Sequence, residues 1–166
     1  MKPNDFDFGE TWRGEKVNKI LKRWLKEVSQ RTTLKMVIAF GSRVKGKAKP
    51  WSDLDLLVVV KKAPKGLARW LNFRVPGCEV IEPRVYAEDE FFKALKELDL
   101  TILEALHHGI LIFDDGFYKK AFEEFSKVIE KWELRREKIG WISLKKLKLS
   151  AETKTCLLYT SPSPRD

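Results

Sequence analysis

Phe40-Gly41-Ser42-Arg43-Val44-Lys45-Gly46-Lys47-Ala48-Lys49-Pro50-Trp51-Ser52-Asp53-Leu54-Asp55-Leu56-Leu57-Val58 is the most informative stretch of the chain. It begins at the end of one apolar run, Lys35–Phe40, and finishes inside another, Leu54–Val60. Each run has the length and β-branched content of a buried strand. In a strand, residues i and i+2 project from one face. Asp53 and Asp55 are therefore expected side by side, with Leu54 and Leu56 turned into the core. Two adjacent carboxylates disfavour each other's ionisation unless a cation lies between them. Hard oxygen donors in that arrangement suit Mg²⁺, which shares its remaining positions with water and substrate phosphates.

The other end of the stretch reads as an anion cradle. Small residues at Gly41-Ser42 let backbone N–H groups approach a phosphate, and a helix starting after Ser42 would add its positive dipole end. The Ser42 hydroxyl can donate to a phosphate oxygen, and Arg43, Lys45, Lys47 and Lys49 surround the same place with positive charge. An anion cradle and a carboxylate pair, ten residues apart, match the needs of a triphosphate with Mg²⁺.

Working outward, Glu15–Gln30 spaces Val17, Ile20, Leu21, Trp24, Leu25 and Val28 as one helical face. Glu79–Tyr86 predicts a third strand, at a sheet edge because Pro83 lacks a ladder donor. Arg69–Arg74 is ambiguous. Helices are expected over Ala87–Lys96, Leu98–His108 and Phe117–Trp132, with a short strand at Ile110–Phe113. This order implies an α/β (α+β) chain, a small mixed β-sheet backed by helices. Trp12, Trp24, Trp132 and Trp141 read as core or interface residues, and Trp51 as a loop tryptophan packing on the sheet, with stacking on a base or ribose beside the site as the alternative. His107-His108 read as capping or surface residues.

Composition bounds the rest. The 166 residues, 43% hydrophobic, suffice for one core. No run approaches the ~20 apolar residues of a membrane span, and MKPNDFDFGETW lacks a signal-peptide core. Two cysteines give neither a disulfide framework nor a metal-ligand spacing, so a reducing, cytoplasmic setting is expected. The net charge of +9 suits a protein handling phosphates or nucleic acid. Over half of it lies in Lys131–Ser150, where seven basic residues face only Glu133 and Glu137. The expected organisation is one domain over 1–130 and a basic segment over 131–155. Residues 156–166, CLLYTSPSPRD, match nothing before them and spell one reading frame of a common transposase-based sequencing adapter. They read as non-native, with the natural chain departing after about Thr155.

Gly-Ser, ten residues, then Asp-x-Asp, between two apolar strands, resembles the signature of minimal nucleotidyltransferases of the DNA polymerase β-like superfamily. The likeness covers roughly Leu34–Phe113 and extends to the antitoxin member of HEPN–MNT toxin–antitoxin pairs. The resemblance implies the polymerase β-like nucleotidyltransferase fold and transfer of an NMP, AMP from ATP, onto an acceptor hydroxyl with release of pyrophosphate. It implies two Mg²⁺ ions on Asp53 and Asp55, and a triphosphate held by Gly41 and Ser42, with Arg43 and Ser52 among the nucleotide-binding residues. The family's third carboxylate falls on Glu82, in the run Ile-Glu-Pro-Arg-Val, with Glu79 as the alternative; many relatives carry Asp there. The implied acceptor is a HEPN-domain protein. An RNA 3′ end, a small hydroxylated molecule, or binding without catalysis remain open alternatives.

Overall fold

The computed structural model describes residues 5–152, so the expectations for residues 153–166, the adapter reading included, lie outside the described residues. The chain divides into two compact units, one ending at Lys120 and one beginning at Ala121.

The first unit is built on four strands: β1 (Leu34–Phe40), β2 (Leu54–Val60), β3 (Ile81–Ala87) and β4 (Ile110–Asp114). Their order across the sheet is β3-β2-β1-β4. β1 runs antiparallel to both neighbours, whereas β2 and β3 are parallel, so the sheet is mixed as expected. Pro83 lies on the edge strand β3, where its missing N–H leaves no gap in a ladder.

Period-2 patterning in β1 and β2 gives two apolar faces. Leu54, Leu56, Val58 and Val60 join Val37 and Ala39 in a cluster with α1 (Val17–Arg31). The helix contributes Val17, Ile20, Leu21, Trp24 and Val28, five buried side chains at the spacing read from the sequence. Burial of each such side chain is worth about 1.5–3 kcal/mol. The buried indole of Trp24 also donates from Nε1 to the Phe73 carbonyl at 3.0 Å. That bond fixes α1 against the end of α2 (Leu67–Phe73), the helix that resolves the ambiguous 69–74 segment. On the other face, Met36, Ile38, Leu57 and Val59 are buried, and α3 (Glu88–Lys96) and α4 (Leu100–His108) pack on the sheet. Asp99 caps α4, its Oδ1 accepting from the Ile102 N–H at 3.2 Å. Arg69 ties α2 to α3 through a two-pronged ion pair with Glu90, 2.8 Å on each side.

The second unit holds most of α5 (Phe117–Trp132), then β5 (Leu134–Glu137), β6 (Gly140–Ser143) and α6 (Leu144–Glu152). β5 and β6 form an antiparallel hairpin. Neither this hairpin nor α6 is expected from the sequence. Leu-Arg-Arg-Glu and Gly-Trp-Ile-Ser are too short to display a period, and the Lys138-Ile139 turn lacks the usual Asn-Gly signal. Trp141 is buried, as expected, against Phe125 at 6.4 Å between ring centroids. Trp132 is ringed by Lys131, Lys145 and Lys146, each ammonium 5.1–5.7 Å from the indole. Among the described residues, no helix is long and apolar enough to cross a membrane.

Candidate active site

The ends of β1, β2 and β3 converge on one place. Phe40 pairs with Asp55 across the β1–β2 ladder, and Asp55 pairs with Glu82 across the β2–β3 ladder. Neighbouring strands are about 4.8 Å apart, so register alone sets Asp55 and Glu82 side by side on one face. Asp53 lies just before β2, solvent-exposed, two residues from Asp55. The Asp55 carboxyl is held above its ordinary range, chiefly by burial and further by the nearby charges of Asp53 and Glu82, with Arg84 opposing. The sequence therefore assembles three acidic side chains at one sheet end.

Gly41 follows β1 with φ +84° and faces the Asp55 carboxylate. Only glycine adopts this left-handed conformation without penalty. A helix beginning after Ser42 is not formed; 42–46 is a run of turns. One helical turn's worth of bonds exists there, with the Val44 and Lys45 amides donating to the Gly41 carbonyl at 3.2 and 3.1 Å. Lys47 N donates to the Ser42 carbonyl at 3.0 Å. Among the described residues, the amides of Ser42 and Arg43 donate to no backbone carbonyl, as is true of Gly46 and Ala48 further along the loop, and the first two adjoin Gly41. Successive free amides can bind an anion without a full helix dipole.

Arg43 has a structural position. It is only 5% exposed, and its guanidinium donates to the carbonyls of Ser52 (2.9 Å) and Phe8 (2.8 Å), with longer contacts to Glu10 and Pro50 at 3.4 Å. Five donors in a fixed fork clamp the 43–52 loop to the N-terminal segment. Burial pulls this guanidinium down from its usual range, and the carboxylate of Asp53 works against that. Ser52 is likewise engaged within the loop, its Oγ accepting from Lys49 N at 2.9 Å. Lys45 reaches Glu104 of α4 at 3.5 Å, and His108 reaches the same carboxylate at 3.4 Å.

Glu82 is held by Arg74, whose Nη2 lies 3.2 and 3.0 Å from its two carboxylate oxygens. Glu79 falls in the turn before β3, its Oε1 accepting from Gly77 N at 2.9 Å. It takes no part in the β2–β3 register, so Glu82 is the acid beside Asp55. Arg74 and Arg84 are functional candidates that the sequence alone does not single out. Arg84 could have been found from its i+2 spacing to Glu82; Arg74 depends on the fold of α2. No three His, Cys, Asp or Glu side chains among the described residues are already gathered as a metal-ligand group. Glu82 is paired with Arg74 instead. Trp51 is 69% exposed rather than packed on the sheet, and Trp12, 68% exposed, lies outside the core.

A family model described as the nucleotidyltransferase domain matches residues 21–146. The chain belongs to that family. The matched span of this nucleotidyltransferase includes Gly41, Asp53, Asp55 and Glu82. No curated protein matches the chain. Solved structures similar to the nucleotidyltransferase include a toxin–antitoxin with AMP-PNP, at 15% identity and TM-score 0.49, covering 82% of this chain and 91% of that one. A tri-AMPylated Shewanella oneidensis HEPN toxin in complex with MNT antitoxin is similar at 13% identity and TM-score 0.45, with coverage of 83% and 92%. A nucleotidyltransferase from Sulfolobus solfataricus is similar at 23% identity and TM-score 0.41, with coverage of 58% and 79%.

Proposed function

We propose that this nucleotidyltransferase transfers AMP from ATP to a hydroxyl of a HEPN-type toxin protein, releasing pyrophosphate, with Asp53, Asp55 and Glu82 as its acidic centre. The observation that carries the catalytic part is the Phe40–Asp55–Glu82 register beside the left-handed Gly41. The donor set fits Mg²⁺: hard carboxylate oxygens, one with its ionisation suppressed by burial and by its acidic neighbours. Asp53 and Asp55 would hold Mg²⁺, which would supply neutralisation of phosphate charge and a lowered pKa for the acceptor hydroxyl. The chain's own residues do the rest. The Ser42 and Arg43 amides and the Ser42 hydroxyl bind triphosphate oxygens. Arg84 offers a cation beside Asp55. Glu82, once released by Arg74, accepts the acceptor's proton.

Arg43 serves by positioning the loop, and we assign it no direct contact with phosphate beyond its amide. The HEPN acceptor and the ATP donor rest on the signature's likeness to antitoxins of HEPN–MNT pairs. Incubation with α-labelled ATP, Mg²⁺ and a panel of a HEPN protein, total tRNA and an aminoglycoside tests the choice. Label on the HEPN protein supports it. Label only on tRNA or the aminoglycoside replaces the acceptor, and no label on any of them supports binding without catalysis.

A further inference from the structure

α2 carries apolar side chains on two sides. Phe73 is buried, whereas Leu67, Trp70 and Leu71 are 70%, 55% and 55% exposed. Their i, i+3, i+4 spacing sets these three on one face of the helix, an apolar ridge turned to water. Between α2 and β3 lies a groove of about 190 Å³, with Trp70, Arg74 and Glu82 in its lining. Small-molecule sites start at roughly 300 Å³, so the groove suits one side chain of a larger partner. Arg74 links the ridge to the acidic centre. Its guanidinium lies 5.2 Å from the Trp70 ring and pairs with Glu82 at 3.0 Å.

The surroundings choose the occupant. An added strand does not fit, because the outer edge of β3 is already engaged. Arg74 and Arg69 donate to the Ile81 and Val85 carbonyls at 3.4 and 3.2 Å, and Pro83 between them has no N–H. A second copy of this chain is disfavoured by charge. Residues 61–74 hold five basic side chains and no acid. Arg69 and Arg74 are paired with Glu90 and Glu82, and Lys61, Lys62 and Lys65 are exposed in the segment leading into α2. A two-fold interface would set those lysines against their own copies. A lipid surface would meet the ridge and leave the groove beside Glu82 empty.

Resting on the reading of a protein acceptor, we infer that the α2 ridge is the surface on which that acceptor docks. An apolar patch of the partner covers Leu67, Trp70 and Leu71, and carboxylates at its rim meet Lys61, Lys62 and Lys65. One partner side chain enters the groove. An apolar centre inside a charged rim is the ordinary anatomy of a protein interface. Docking here delivers the acceptor to Glu82, the acid that takes its proton in the proposed mechanism.

The probe is the HEPN protein of the transfer panel, titrated by calorimetry and used as acceptor in initial-rate measurements. One variant is Leu67→Ser/Leu71→Ser, which leaves Trp70, Arg74 and Glu82 in place; the other is Lys61→Glu/Lys65→Glu. All four side chains are exposed, so thermal melting and Mg·ATP affinity should be unchanged. HEPN affinity should fall about tenfold or more in the serine variant, with acceptor KM rising to match and KM for ATP unmoved. In the glutamate variant it should fall severalfold at low salt and less at high salt. If the HEPN protein binds but is not labelled, the catalytic reading fails and these affinities still decide the surface. Unchanged HEPN affinity in both variants overturns the docking surface and leaves the transfer reading intact. Should the variants instead lose self-association or binding to anionic vesicles, the ridge belongs to a second copy or a membrane. Absence of HEPN binding to wild type overturns the acceptor reading and the docking surface together.

Discussion

Gly41 and Asp55 leave no room for a methyl group between them: a Cβ on Gly41 would stand 2.5 Å from Asp55 Oδ2. The left-handed turn after β1 and the acid of β2 are thus packed as one unit, with the glycine bringing the amides proposed to bind phosphate up to the carboxylate. Gly41→Ala would both strain the backbone, at about 1–2 kcal/mol for a left-handed residue, and displace the carboxylate. We expect a modest fall in Tm together with loss of transfer activity by about a hundredfold or more, the scale of a reacting group shifted by an ångström. Melting curves and steady-state rates on the same preparation check both.

Asp55 should destabilise the fold at neutral pH. Its carboxyl is pushed above the ordinary range by burial, then by Asp53 and Glu82. A group raised in the folded state contributes stability while protonated and loses that contribution as pH rises through its folded pKa. Asp55→Asn is therefore expected to raise Tm at pH 7.5, with the gain shrinking toward pH 4, while abolishing activity. Mg²⁺ should raise the Tm of wild type and not of the variant.

Arg43 separates stability from catalysis. Its guanidinium is buried among carbonyls that would be left without donors in Arg43→Ala. Loss of charged hydrogen bonds of this kind costs about 1.5–3 kcal/mol. We expect a large drop in urea midpoint, and a Lys replacement that recovers little because it lacks the fork. At temperatures where the variant stays folded, the KM for ATP should change less than the stability does.

In the proposed mechanism Arg74 competes with Mg²⁺ for Glu82. Replacing it with Met keeps a long side chain and removes the ion pair. The Mg²⁺ concentration for half-maximal activity should fall severalfold in Arg74→Met and rise about tenfold in Glu82→Gln, the usual scale when a ligand or its immediate partner is altered. A Mg²⁺ titration of initial rates reads both.

Much of this site is legible in the amino-acid sequence. The spacing of Gly41, Asp53 and Asp55 between two apolar strands carries the fold, because strand pairing converts i, i+2 alternation directly into shared faces. Pro83 correctly marks β3 as an edge. What escapes the sequence are relationships made by long-range packing. Arg43 sits in a lysine-rich loop and reads as a phosphate ligand; only the fold shows it turned inward to Phe8, thirty-five residues away. Arg74 meets Glu82 because α2 returns to the sheet edge, which seven residues of intervening sequence do not reveal. Trp51 reads as a loop tryptophan packed on the sheet, yet the fold of its loop leaves it, like Trp12, more than two-thirds exposed.

The most direct test of the central claim is a double-label transfer assay with the acceptor found by the panel. ATP labelled at the α-phosphate in one arm and at the γ-phosphate in the other is incubated with wild type and with Asp53→Asn and Asp55→Asn variants in Mg²⁺. The account predicts α-label on the acceptor, γ-label in pyrophosphate, equal amounts of the two, and loss of both in either variant. Transfer of γ-label to the acceptor, or α-label transfer that survives in both variants, would contradict it.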